Sequence, residues 1–294
     1  MAVEKTKTTT LILFVFRLIP RFVRKTIFIS LFIIFYHLDS RRRLITLHNL
    51  QRSFPEKNYR EIIKIAKGTY RHFAIVGAEF PEIPYITKEN AHKWLDVDGY
   101  ENYLTANAKG KGILSIVAHF GNWELLPVGI PIYARPIHIV YRPLDNKIID
   151  NIVEYVRTMR GNSLIPKGGS GKKIMELLKQ NQIIGILSDQ NVDTYEGVFV
   201  DFFGRPACTG AGLAVMAMRS GAPVIAIFPA RQKSGRYKVI VKPPIEAVRT
   251  GNYEADLVFN TQRFTKIIEE IVREYPEQWF WFHQRWKTKM PKKQ

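Results

Sequence analysis

His119 and Glu124 lie five residues apart in the segment GKGILSIVAHFGNWELL (110–126), and an imidazole beside a carboxylate is the pair a general base needs. The carboxylate fixes the ring tautomer and stabilises the imidazolium as it forms. On one continuous helix, five residues would turn the two side chains about 140° apart. The local sequence offers another route. Residues 113–118 are a short apolar run rich in β-branched side chains and read as a buried strand. The run stops at His119, Phe120-Gly121-Asn122 supplies a turn, and Asn122 is a good N-cap for a helix from Trp123. The chain can then fold back and let carboxylate meet imidazole, with the positive end of the helix dipole keeping the resting ring neutral. The same spacing also suits a structural histidine at a strand end and a glutamate that complements the helix dipole.

Strand and helix patterns alternate from Trp94 onward. Strands are expected at 94–97, 113–118, 137–141, 183–187, 224–228 and 237–241, and helices at 101–108, 123–130, 147–159, 172–180, 210–219 and 254–274. Such alternation predicts an α/β fold, a central and mainly parallel sheet flanked by helices. Sites in that architecture form at the carboxyl ends of strands. His119, Tyr141-Arg142 and Ser188-Asp189-Gln190 all fall there. Upstream, Ser40 can cap a helix over 41–52 that Pro55 would end, and Asn58 with Glu61 resembles a capping box for a helix carrying Ile62, Ile65, Ala66, Tyr70, Phe73 and Val76. The expected organisation is an N-terminal membrane anchor over 1–37 and a main domain over 38–294, with a helical lead-in at 38–85 and the α/β core at 86–294.

The 294-residue chain carries a net charge of +18, and residues 1–60 alone hold twelve Lys/Arg against three acids. A balance of this sign suits an anionic partner, either nucleic acid or an anionic membrane surface. Apolar runs at 11–16 and 26–36 are interleaved with Arg17, Arg21, Arg24 and Lys25, which favours the membrane. Neither run reaches the roughly 20 residues of a span, and basic residues flank the second on both sides. An interfacial helical anchor on the cytoplasmic leaflet follows, with its arginines at the headgroups and anionic lipids as partners. A tilted or re-entrant span is the alternative. No small-residue cleavage site follows these runs.

Several chemistries lack their motif. Cys208 is the only cysteine, so no intrachain disulfide can form, and no Cys/His cluster has metal-ligand spacing. Gly168-Gly169-Ser170-Gly171-Lys172-Lys173 lacks the hydroxyl residue of a phosphate-binding loop, and Pro166 stands where its first glycine belongs, so a glycine turn opening a basic helix is expected. There is no Gly-x-Ser-x-Gly elbow and no recognised nucleic-acid motif.

AHFGNWE (118–124) resembles the His-x₄-Glu/Asp signature of the lysophospholipid acyltransferase superfamily. The surrounding blocks are similar to the bacterial lipid A biosynthesis acyltransferases and the related phosphatidylinositol mannoside acyltransferases. They are YRPLDNKIIDNIV (141–153) followed by Arg157, Gly161, Ile165 and Pro166; ILSDQN (186–191); VDFFGRPACTGAGLAVMAMRSGAPVIAIFPAR (200–231); and PEQWFWFHQRWK (276–287). LDSRRRLITLHNLQRSFPE (38–56) and the apolar-basic N-terminus match as well, so the resemblance spans nearly the whole chain in order.

The resemblance implies an acyltransferase at the cytoplasmic face of the inner membrane. It would move a fatty acyl chain from an acyl-carrier-protein or coenzyme A thioester to a hydroxyl of a lipid A precursor-type glycolipid. It implies no metal and no bound cofactor. His119 then becomes the general base, paired with Glu124. Arg142 is the first candidate for the oxyanion or a lipid phosphate, with Arg157, Asp189 and Gln190 as further substrate-binding or oxyanion candidates. The aromatic cluster Trp279, Phe280, Trp281, Phe282 and Trp286 reads as core or interfacial anchor. Two alternatives stand beside this. One is an acyltransferase of the same superfamily acting on a lysoglycerophospholipid, phosphatidylinositol mannoside or aminolipid; the other is a non-enzymatic basic membrane-binding protein.

Overall fold

The computed structural model describes residues 6–291; residues 1–5 and 292–294 lie outside the described residues. Four helices come first: α1 (Lys7–Leu18), α2 (Arg21–Leu38), α3 (Ser40–Ser53) and α4 (Tyr59–Glu79). Pro20 separates α1 from α2, and Asp39, not Ser40, caps α3 through the Arg42 amide. The capping box at α4 forms as expected, with Asn58 and Glu61 each bonding the other's backbone amide.

The α/β elements follow: β1 (Leu95–Asp98), α5 (Tyr100–Asn107), β2 (Ile113–Val117), α6 (Leu126–Tyr133), β3 (Ile137–Tyr141), α7 (Lys147–Thr158), β4 (Ser163–Pro166), α8 (Gly171–Lys179) and β5 (Ile183–Leu187). A hairpin of β6 (Gly197–Asp201) and β7 (Pro206–Gly210) precedes α9 (Gly212–Ser220), β8 (Val224–Arg231), β9 (Tyr237–Val241) and α10 (Tyr253–Glu274). The main sheet has the order β1-β9-β8-β2-β5-β3-β4. Its pairs are parallel except β8 with β9.

Alternate residues of each central strand enter opposite cores, as a pleated sheet requires. Leu114, Ile116, Ile184, Val224, Ala226 and Phe228 face one core, which takes in α3, α4, α9, α10 and the C-terminal aromatics. Ile113, Ile183, Ile225 and Ile227 face the other, under residues of α6 and α7. The sheet is therefore buried on both faces, which explains the continuous apolar runs. β4, β6 and β7 were not expected. Ser163–Pro166 is a short edge strand ending in proline, and the hairpin lies outside the main sheet, so neither carries a long apolar signature.

Among the described residues no helix is long and apolar enough to cross a membrane. The first two helices nevertheless expose Leu11, Phe14, Val15 and Leu18 on α1 and Phe22, Ile27, Leu31, Ile33, Ile34 and Leu38 on α2. Their basic residues depart from expectation, because several turn inward. Arg24 is buried, donates to the carbonyls of Phe16, Ile19 and Ala78, and pairs with Glu82. Lys25 and Arg21 lie 2.9 and 3.1 Å from the buried Glu79 carboxylate, which also accepts from the Tyr237 hydroxyl. The physical reason is that a buried carboxylate must be paired, and α2 supplies the cations.

Candidate active site

Because β2, β5 and β3 run parallel and adjacent, the residues that follow them emerge at one edge of the sheet. His119 follows β2, Asp189 and Gln190 follow β5, and Arg142 follows β3. That edge brings imidazole and carboxylate together, but the carboxylate belongs to Asp189. His119 Nδ1 lies 2.8 Å from Asp189 Oδ1, and the His119 backbone amide donates to Asp189 Oδ2 at 2.9 Å. The Trp279 indole donates to the same Oδ2 at 2.8 Å.

Burial alone would raise the Asp189 carboxyl, but attraction to His119 and the hydrogen bonds from His119 and Trp279 hold it below the usual aspartate value. An ionised carboxylate only accepts, so His119 carries its proton on Nδ1 and keeps the lone pair on Nε2. The His119 side chain keeps 22% of its surface exposed. The Gln190 side-chain amide nitrogen lies 3.5 Å from Nε2.

Glu124 does not meet His119. A 3₁₀ turn over Trp123–Leu125, with no cap from the Asn122 side chain, carries Glu124 toward α7. There Arg157 binds it through both oxygens, Nε to Oε2 at 2.9 Å and Nη2 to Oε1 at 2.6 Å, and the Trp123 indole donates to Oε1 at 2.8 Å. Both side chains are buried. Burial would lower the Arg157 guanidinium, but the Glu124 charge outweighs it and holds it above its usual value. The guanidinium fork satisfies both oxygens of a buried carboxylate, which a single imidazole N–H cannot do. Arg157, expected at the substrate, is therefore committed to tying the turn after His119 to α7. Arg142 is exposed at the sheet edge and makes no ion pair among the described residues.

The turn itself is held from below and from the C-terminus. Gly121 has φ +58°, and a Cβ there would sit 1.7 Å from the Pro229 carbonyl oxygen, so only glycine fits. Buried His72 on α4 donates Nε2–H to the Gly121 carbonyl at 3.1 Å, and desolvation pushes its pKa down to about 4. The Gly121 amide donates to the Gln278 carbonyl, and the Phe280 amide donates to the His119 carbonyl. His283 accepts the Asn191 amide, and burial likewise lowers it to about 4. Trp279, Trp281, Phe282 and Trp286 are core residues, and Trp279 also grips Asp189. The roles of Trp279 and His72 were not read from the sequence. Each depends on a partner at least 49 residues away, so no local spacing announces it.

An α/β sheet whose carboxyl edge presents a histidine held by a buried aspartate has the arrangement from which a general base can be built. The family model described as bacterial lipid A biosynthesis acyltransferase matches residues 7–288, and the chain belongs to that family. It is 27% identical over 256 residues to the lipid A biosynthesis palmitoleoyltransferase of Escherichia coli (strain K12), covering 85% of this chain and 80% of that protein. It is 28% identical over 254 residues to the lipid A biosynthesis lauroyltransferase of the same strain, with the same shares covered. The phosphatidylinositol mannoside acyltransferase of Mycolicibacterium smegmatis is 26% identical over 199 residues, covering 65% of this chain and 62% of that protein. Among solved structures, the 1-acyl-sn-glycerophosphate acyltransferase of Thermotoga maritima aligns with a TM-score of 0.42 and 14% identity, covering 89% of this chain and all of that one. The chain is an acyltransferase of lipid A biosynthesis.

Proposed function

We propose that the enzyme transfers a fatty acyl chain from an acyl-carrier-protein or coenzyme A thioester to a hydroxyl of a lipid A precursor, with His119 as general base and Asp189 as its positioning partner. The observation that carries this is the His119 Nδ1–Asp189 hydrogen bond at 2.8 Å, which turns the Nε2 lone pair away from Asp189 and toward the Gln190 amide nitrogen. The acceptor hydroxyl is a poor nucleophile at neutral pH, so Nε2 takes its proton as the oxygen attacks the thioester carbonyl. Asp189 stabilises the imidazolium that results. Collapse of the tetrahedral intermediate breaks the C–S bond, the thiolate leaves with the proton from Nε2, and the new ester remains on the lipid. Developing charge on the carbonyl oxygen calls for a fixed donor or cation. Arg142 is assigned to that oxygen or to an acceptor phosphate, because it is exposed and follows the strand next to β5. Gln190, whose amide nitrogen faces His119 Nε2, is assigned to the acceptor's polar groups.

The same reading places the enzyme at the cytoplasmic face of the inner membrane, with residues 1–37 lying on the leaflet and not across it. The exposed apolar faces of α1 and α2 support this. The main domain then begins at residue 38. The test is an assay in which a radiolabelled acyl chain is presented to a purified lipid A precursor as its acyl-carrier-protein thioester and, separately, as its coenzyme A thioester. Label should enter the precursor as an ester in the wild type and not in His119→Ala. Label entering a lysoglycerophospholipid or a phosphatidylinositol mannoside, and not the precursor, would assign a different acceptor.

A further inference from the structure

A groove of about 400 Å³ runs beside the packed α2–α4 pair. Its α2 wall is mostly apolar, from Ile29, Ile33 and Tyr36, with His37 beside them. Its α4 wall is cationic, from Lys64, Lys67 and Arg71, which are exposed and one or two helical turns apart. None of these three makes an ion pair within 4 Å among the described residues. The acid that lines the groove, Glu277, packs against Gly68, where a Cβ would lie 2.3 Å from its carboxyl carbon. Glu277 faces Lys64 and Arg71 and offsets part of their charge, but one acid against three cations leaves the groove positive. The groove also adjoins the exposed apolar face of α2, to which Ile33 itself belongs.

We propose that this groove holds one anionic phospholipid of the bilayer, its phosphate bound by Lys64, Lys67 and Arg71 and an acyl chain laid along Ile29 and Ile33. An occupant must offer negative charge to α4 and hydrocarbon to α2 at once, and an anionic lipid meets both demands in one molecule. The groove is separate from the reacting hydroxyl. Tyr70 on its wall contacts Phe282, Phe282 contacts Phe280, and Phe280 contacts His119, at ring separations of 4.6, 5.1 and 6.1 Å. Three ring contacts therefore stand between groove and base. The bound lipid would add to the packing of α2 on α4, which the Arg21 and Lys25 pairs with Glu79 already join. This inference rests on the membrane placement proposed above.

The experiment is native mass spectrometry of the full chain, released from neutral detergent micelles doped with dioleoylphosphatidylglycerol. Wild type should carry one lipid. Lys64→Gln/Lys67→Gln/Arg71→Gln should weaken that adduct about tenfold or more, as losing three cations near a phosphate would. Lys172→Gln/Lys173→Gln/Lys179→Gln, an equal charge change on α8, should keep it. Ile33→Trp, which obstructs the groove without altering charge, should lose it. A lipid adduct that persists in the α4 variant, or falls equally in the α8 variant, overturns the proposal. So does displacement by inorganic phosphate alone, which would mark a phosphate site indifferent to hydrocarbon. Loss of acyl-carrier-protein binding in the α4 variant with the lipid adduct intact would give the groove to a protein partner and also overturns it. Vesicle sedimentation separates the two readings. Wild type that sediments normally yet carries no lipid sinks the groove alone, whereas an adduct without sedimentation sinks the membrane placement alone.

Discussion

At the scale of residues, two acids divide work that the sequence assigned to one. Glu124 lies five residues from His119 yet bonds Arg157, while Asp189, seventy residues away, bonds His119 twice. This makes the consequences of mutating them different in kind. Glu124→Ala should leave the Arg157 guanidinium buried without its partner and cost roughly 3–5 kcal/mol of stability. A Glu124→Gln/Arg157→Met double variant, with no stranded charge, should recover most of that in denaturant unfolding and regain measurable transfer. A stable double variant with no activity at all would show that Glu124 acts directly in proton transfer. Arg142→Ala should raise the KM for acceptor or lower kcat, and Arg142→Lys should restore only part, because a planar fork is not replaced by a point charge. Unchanged steady-state kinetics in Arg142→Ala would reduce it to a surface residue.

At the scale of elements, the site is a turn gripped on several sides. α4 reaches it through His72, α7 through the Arg157–Glu124 pair, and the C-terminal segment through Gln278, Trp279 and Phe280. Gly121→Ala would drive a methyl group into the Pro229 carbonyl at a left-handed φ, so it should destabilise by several kcal/mol or abolish folding, read as a fall in Tm. Trp279→Phe removes one donor from Asp189 and should lower kcat by about tenfold, more than its stability loss explains. Equal activity per folded molecule would restrict Trp279 to packing. The strand-turn arrangement at His119, the parallel sheet and the convergence of His119 with Asp189 and Gln190 at one edge were legible, because period, β-branching and topology are local or rule-bound. The Glu124–Arg157 pair was not legible. Which carboxylate reaches an imidazole depends on side-chain direction across packed elements, and a 3₁₀ turn replaced the expected first turn of helix. The inward-facing Arg24 and Lys25 were missed for a similar reason, since their partners Glu82 and Glu79 lie more than fifty residues ahead.

At the scale of the whole molecule, charge and burial set conditions for both stability and location. His72 and His283 are lowered from 6.5 to about 4 by burial, so between those values the unfolded chain binds more protons than the folded one. Stability should be intact above pH 6.5 and fall as pH drops toward 4, by a few kcal/mol in all, and Tm measured across that range reads the loss. A flat Tm from pH 7 to pH 5 would count against these histidines being buried and neutral. Binding to vesicles containing an anionic lipid should weaken as salt rises, because much of the +18 charge is exposed, yet persist in part through the apolar faces of α1 and α2. Complete release by salt would leave those faces without a lipid role.

The central claim is that His119 and Asp189 act as one unit in acyl transfer, and a double-mutant cycle on single-turnover transfer tests it most directly. His119→Ala should lower the rate by about 10²–10⁴-fold in a folded protein, and Asp189→Asn should be comparably severe, since it disturbs both tautomer and imidazolium stabilisation. The double mutant should be little worse than His119→Ala alone. Multiplicative losses, or a normal rate in folded Asp189→Asn, would contradict the account.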